Sequence, residues 1–165
     1  MLKIGLLSDT HAYWDDRYAT YFSSCDEIWH AGDIGSLNVL NRLEEIKPVR
    51  AVHGNIDGYD IRMACPTHLR FQAEEVDVWI THIGGYPGKY AFEVCPDIYN
   101  HPPKLFICGH SHILKVQYDQ ALELLHINPG AAGKSGMHAI RTLARFTIDG
   151  KDIKDLEVIE LGQKA

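Results

Sequence analysis

The sequence predicts an α/β protein in which two mixed β-sheets pack as a sandwich with helices outside. Three observations carry this prediction. Short, nearly continuous apolar runs recur along the first two-thirds of the chain, as expected of strands buried on both faces. Segments of helical spacing separate the early runs, and a strand–helix–strand order implies parallel pairing with right-handed crossovers. The last third changes to meandering strands with turn signals between them.

The first run is Lys3 to Leu7, and the next are Glu27 to His30, Val49 to His53, Val76 to Thr81 and Lys104 to Cys108. Leu37, Leu40, Leu43 and Ile46 recur at three-residue steps, with Ser36 placed as an N-cap and Pro48 beyond the end. Tyr18, Tyr21 and Phe22 give the preceding segment a weaker apolar face. Later strands are expected at Val116 to Asp119, Leu122 to Ile127, Ala144 to Ile148 and Leu156 to Leu161. Asp119-Gln120-Ala121 and Asp149-Gly150-Lys151 supply turns between some of them. Residues 84–103, rich in Gly, Pro and Tyr, read as a loop or lid. No repeat, linker or charge block divides the chain, so residues 1–165 form one predicted domain.

The bulk numbers narrow the function. The 165 residues are 45% hydrophobic with a net charge of −6, which argues against broad binding of a nucleic-acid polymer. No apolar stretch approaches the roughly 20 residues of a membrane span. Met1-Leu2-Lys3-Ile4 enters a strand directly, without a signal-peptide core. Cys25, Cys65, Cys95 and Cys108 are widely spaced and read as reduced cysteines of a cytoplasmic protein. Cys108 lies inside an apolar run, which favours packing over metal ligation.

Polar islands follow the apolar runs: Ser8-Asp9-Thr10-His11, Gly32-Asp33, Gly54-Asn55, the single His82, and Gly109-His110-Ser111-His112. Ligand sites in open α/β sheets lie just beyond the carboxyl ends of strands. Two Asp, one Asn and four His form an oxygen–nitrogen set that suits borderline divalent metals. In an extended chain residues i and i+2 point the same way, so Asp9 and His11 are expected to chelate one ion, and His110 and His112 stand in the same relation. Gly32 and Gly54 are expected to let the backbone turn sharply and approach an ion or substrate closely. Each island alone reads equally as a strand end or a helix cap; the combination carries the signal. Two divalent ions against Asp9 and Asp33 leave a pocket of net charge about +2, which suits a phosphate substrate.

In their order, D-x-H, G-D, G-N, H and G-H-x-H, these islands resemble the calcineurin-like metallophosphoesterase superfamily. The short chain and the tail Asn128-Pro129-Gly130 are most similar to its compact YfcE-like phosphodiesterase subfamily. The resemblance implies a four-layer αββα sandwich and a binuclear metal centre at one end of the sheets. It also implies that Asp9, His11 and His112 hold the first ion, Asn55, His82 and His110 the second, and that Asp33 bridges both. The implied activity is that of a hydrolase, a metal-dependent phosphodiesterase acting on a small phosphoester by attack of a metal-bridging hydroxide. Mn²⁺ is the favoured ion, with Fe, Ni, Co or Zn compatible with the ligands. Asn55 is also expected to donate a hydrogen bond to the phosphate. The alternatives are a nucleotide phosphomonoesterase or pyrophosphohydrolase, and a metal-binding interaction scaffold of the same fold. A homo-oligomer stays open.

One position departs from the pattern. Many superfamily members carry a His after the G-N pair as general acid, whereas this chain reads Gly54-Asn55-Ile56-Asp57. Ile56 cannot donate a proton, so a bias toward good leaving groups is expected. His30 reads as a residue orienting a ligand or as a core histidine, and Asp57 as a partner of a ligand His or as a turn former. Asn128-Pro129-Gly130 reads as a source of backbone N–H groups or as a plain turn. His53 reads mainly as a strand-end residue, with contact to substrate as the alternative, and His68, His101, His126 and His138 as structural or exposed. Tyr86, Tyr90 and Lys89 read mainly as loop packing, with stacking on a base or aryl group as the alternative.

Overall fold

A computed structural model describes residues 1–164. In chain order the elements are β1 (Leu2–Leu7), α1 (Arg17–Phe22), β2 (Glu27–His30), α2 (Leu37–Glu44), β3 (Val49–Ala51), α3 (Tyr59–Ala64), β4 (His68–Ala73) and β5 (Val76–Thr81). A hairpin of β6 (Gly85–Tyr86) and β7 (Lys89–Tyr90) follows, then a 3-10 turn (Phe92–Val94), α4 (Asp97–Asn100) and β8 (Leu105–Ile107). The chain ends with β9 (Leu114–Asp119), β10 (Leu124–Pro129), β11 (Ile140–Asp149) and β12 (Asp152–Gln163). The Ser36 hydroxyl accepts from the Val39 N–H and caps α2 as its sequence predicts.

The strands form two five-stranded mixed sheets, ordered β12-β11-β1-β2-β3 and β4-β5-β8-β10-β9. The halves of the chain are therefore interleaved: late strand β11 lies antiparallel against β1, while β5, β8 and β10 run parallel in the second sheet. Apolar side chains alternate between the two faces of each strand and fill three interfaces. Ile4, Leu6, Trp29, Ile80, Ile107 and Phe146 fill the space between the sheets. Leu7, Ile28, Val39, Leu43 and Ile61 pack the first sheet against α1–α3. Trp79, Phe106, Val94 and Ile98 pack the second sheet against the 3-10 turn and α4. This is the four-layer αββα order, with a thin outer helical layer on the second sheet. Trp29 anchors the central layer, edge-on to Phe71 at 5.1 Å and Phe146 at 5.8 Å. Truncating such a side chain costs about 3–5 kcal/mol.

Register places the polar islands side by side. Leu7 pairs with His30 and His30 with Ala51 across the parallel strands β1, β2 and β3, so all three chains leave the sheet at one level. Ile80 pairs with Ile107 in the second sheet, which brings His82 and the loop after β8 to the same end.

Candidate metal centre

The loops beyond these strand ends are sewn together by main-chain bonds. Asp9 N–H donates to the Gly32 carbonyl at 3.0 Å, His11 N–H to Asp33 at 3.0 Å, and Gly109 N–H to His82 at 3.0 Å. The Asp57 carboxylate accepts from Ile34 and Gly35 N–H on one side and from Gly54 N–H on the other, at 2.8–3.1 Å. It thus clamps the second island to the third, and its own N–H donates to the Gly54 carbonyl at 3.2 Å, so it serves as a turn former and hydrogen-bonds to no histidine. Asn128 performs a similar task with its amide, donating to Gly109 O and Ser111 Oγ, both at 3.1 Å. Gly54 is needed for close approach, because a Cβ there would collide with the Asp33 carboxylate. Gly32, at φ 101°, is needed for its turn and for room beside the His82 ring.

Six of the seven expected ligands fall into two groups, Asp9–His11–His112 and Asp33–His82–His110, each with its donor atoms within 4.8 Å of one another. Asn55 is exposed and lines a cavity together with His82. Asp33 faces both groups: its Oδ2 lies 3.1 Å from His82 Nε2 and 3.5 Å from His11 Nε2, while its Oδ1 accepts from Ile56 N–H at 3.1 Å. Asp9 Oδ1 lies 3.1 Å from His112 Nε2 and 3.7 Å from His11 Nε2.

The backbone that achieves this is not the extended one expected for D-x-H and H-x-H. Asp9, His11, Asp33, His110 and His112 all have φ between 46° and 72°. Each thus holds the left-handed conformation, which costs an L-residue roughly 1–2 kcal/mol. Residues in such conformations cluster at functional sites, held there by the surrounding structure. The paired ligands converge because alternate residues turn sharply, rather than because a strand continues.

Buried histidines fix one another's protons. His82 Nδ1 donates to the Ala31 carbonyl at 2.8 Å, which turns Nε2 toward the carboxylates. His138 Nε2 donates to the Gly133 carbonyl at 2.8 Å, so its Nδ1 accepts from His112 Nδ1 at 3.2 Å and His112 presents Nε2 to Asp9. Such a hydrogen bond on the far ring nitrogen is what orients an imidazole toward a metal. His138, expected to be structural or exposed, therefore supports the centre. His30 is wholly buried and neutral: Gly32 N–H donates to its Nδ1, and its Nε2 donates to Thr10 Oγ1, bracing two islands at once. Burial pushes its pKa down to about 4.

Asp9 Oδ1, His11 Nε2 and His82 Nε2 are buried without a hydrogen-bond partner. Buried polar atoms left unpaired are costly. A carboxylate oxygen and two imidazole nitrogens left unpaired beside Asp33 fit a divalent cation, so the residues present suit the metals that the resemblance implies. Burial alone would raise the Asp9 carboxyl, but His11, His112 and His82 outweigh it and hold it well below the usual carboxylate range. The same balance lowers Asp33, through His82 and the Ile56 N–H. Conversely, Asp9 and Asp33 raise His11, and against the effect of burial they raise His82 as well. Cys108 is in neither group; its thiol donates to the Gly85 carbonyl, and burial pushes it up to about 12.

This fold and its clustered donors define a metallophosphoesterase-type protein. The chain belongs to the calcineurin-like phosphoesterase superfamily, whose domain model matches residues 2–151. A probable metallophosphoesterase of Methanothermobacter thermautotrophicus is 29% identical over an alignment covering 98% of this chain and 94% of that protein. Among solved structures, a novel archaeal phosphodiesterase superposes with a TM-score of 0.76 at 23% identity, covering 97% of this chain and 100% of the other. Zn²⁺-complexed Vps29 from Entamoeba histolytica gives 0.75 at 13% identity, covering 96% and 99%. The two structures share the fold.

Proposed function

We propose that this chain is a phosphodiesterase that works with two divalent cations, most suitably Mn²⁺, on a small phosphoester. The observation that carries the reading is the set of unpartnered buried donor atoms between Asp9 and Asp33. Asp9, His11 and His112 would hold one cation and Asn55, His82 and His110 the other, with Asp33 shared. Two such cations supply Lewis-acid activation of phosphoester and water and neutralise charge in the transition state. The chain's own residues supply the frame. Asn55, being neutral, would leave the site electropositive and would donate to a phosphate oxygen. Ile56 offers only its backbone, and that is committed to Asp33.

Family membership and the likeness to an archaeal phosphodiesterase support this reading. Four free cysteines suit a reducing cytoplasm, and among the described residues no helix is long and apolar enough to cross a membrane. The test is hydrolysis of a bis-aryl diester, an aryl monoester and a nucleotide pyrophosphate, with Mn²⁺ and after chelation. Metal-dependent preference for the diester is expected. A preference for either other substrate assigns the monoesterase or pyrophosphohydrolase alternative. Binding of two ions with no hydrolysis of any of the three assigns an interaction scaffold.

A further inference from the structure

The group Asp33–His82–His110 stands between two cavities. His82 lines one of about 200 Å³, together with Asn55, and His110 lines another of about 460 Å³; Ile83 borders both. A phosphodiester carries two ester arms, so a phosphate at this group has one cavity for each. Both have mostly apolar walls, and they differ in the side chains that border them. The smaller is bordered by polar side chains such as Arg62, Thr67 and His68. The larger is bordered by Ile83, Ala91 and Ile113 and by the ring of Tyr86, with Lys115 Nζ 4.5 Å from the ring centroid. Its volume lies within the roughly 300–1,000 Å³ of small-molecule sites.

The β6–β7 hairpin brings Tyr86 to this wall and commits its other tyrosine elsewhere. Tyr90 donates to Asp119 at 2.6 Å and packs edge-on to Phe106. Tyr86 is 41% exposed, with the Lys115 ammonium over its ring. His126 also lines the cavity, and its buried Nδ1 has no partner in the protein. An aromatic ring paired with an ammonium is a surface for a planar, electron-rich group that carries acceptors. Bases stack on aromatic side chains through their π faces, and a cation nearby adds to the attraction. An alkyl arm would gain less from the pair, through apolar burial alone.

We propose that the larger cavity receives a heteroaromatic ester arm, a nucleoside rather than a simple alkyl group, with Tyr86 and Lys115 as its specificity-determining residues. This rests on the phosphodiesterase reading above. Calorimetric titration of the Mn²⁺-supplemented protein with adenosine 5′-monophosphate and ribose 5-phosphate isolates the base, because sugar and phosphate are common to both. The adenosine ligand is expected to bind about tenfold more tightly, the scale of one aromatic stack. Tyr86→Ala should erase most of that preference, Tyr86→Phe should keep it, and Lys115→Ala should reduce it. Equal binding of the two ligands by the unaltered protein, or a preference untouched by Tyr86→Ala, overturns the arm assignment while metal-dependent phosphate binding stands. If neither ligand's binding depends on Mn²⁺, the phosphodiesterase reading falls and the arm assignment falls with it.

Discussion

His112 and His138 meet through their Nδ1 atoms, 3.2 Å apart with the rings nearly perpendicular, and His138 is anchored in turn to the Gly133 carbonyl. The direction of this chain is set at its far end. A carbonyl only accepts, so His138 Nε2 carries the proton, His138 Nδ1 is the acceptor, and His112 Nε2 is left free to face Asp9. Metal-supporting hydrogen bonds of this kind are worth roughly 10–100-fold in affinity. His138→Ala is expected to weaken Mn²⁺ binding by about that factor at one of the two sites, measured by calorimetry. His138→Gln, which keeps an acceptor, should lose less. Equal weakening of both sites would remove His112 from the chain of effect.

Asp33 stands 3.1 Å from a nitrogen of one donor group and 3.5 Å from a nitrogen of the other. If it bridges two cations, Asp33→Asn removes charge from both sites together. The expected stoichiometry falls from two bound ions to none at concentrations that saturate the unaltered protein. The loss should exceed the roughly 10–100-fold that a supporting hydrogen bond contributes. Metal analysis after gel filtration reads this directly, and selective loss of a single ion would contradict the bridging role.

Much of this was legible in the sequence, and the rest was hidden for identifiable reasons. Strands β1, β2 and β5 are short, mostly apolar runs, and α2 carries both its periodicity and its Ser36 cap, so local pattern is enough. Strand β4 does alternate polar and apolar residues from His68 to Ala73, a legible period of two that the expected strands leave out, whereas the six-residue α3 has one buried residue, Ile61, and leaves little signal. The pairing of β11 with β1 joins segments more than a hundred residues apart, which no local periodicity encodes. The donor residues were readable because each ends an apolar run. His138 lies in an irregular stretch between β10 and β11, and nothing local distinguishes it from His68 or His101. Its role appears only when the loops are folded together.

Ile56 leaves the leaving group without a proton donor from this position. Its side chain is 47% exposed, and its N–H is already spent on Asp33. General acid assistance is worth roughly 10²–10⁴-fold, most for poor leaving groups. Aryl phosphodiesters should therefore be cleaved far faster than alkyl ones at the chemical step. Ile56→His should narrow that gap by about tenfold or more. Similar single-turnover rates for aryl and alkyl diesters in the unaltered protein would reveal a donor elsewhere.

Acid should destabilise the metal-free protein well above the carboxylate range. His30 and His126 are buried neutral, each pushed down to about 4 from an ordinary 6.5. Unfolding lets both take up protons as the pH falls below 6.5, so stability drops through the window from 6.5 to 4. His11 and His82, shifted upward, contribute fully below 6.5 and add no further gain there. The two neutral histidines together account for several kcal/mol, on the order of 3 kcal/mol each. Urea unfolding at pH 7 and pH 4.5 measures the drop, and His126→Leu should make it shallower. A flat profile across this window would place both rings in contact with solvent.

Metal and protons should compete for the same atoms. His11 and His82 lie beside Asp9 and Asp33, and those carboxylates raise their proton affinity above that of a free imidazole. A metal must displace such protons before the ring nitrogens can ligate. Binding should therefore weaken as the pH falls from about 8 toward 6, by up to tenfold per pH unit for each proton displaced. Calorimetry in buffers of different ionisation enthalpy counts those protons. Net proton release on saturation is expected. If the metals bind only the folded chain, the same pH dependence should appear in the melting temperature, with a stabilisation of about 2.7 kcal/mol for each ion at a hundred times its dissociation constant. Mn²⁺ binding that is unchanged between pH 8 and pH 6 would mean that the ions sit away from His11 and His82, and would remove the Asp9–Asp33 cleft as the metal centre.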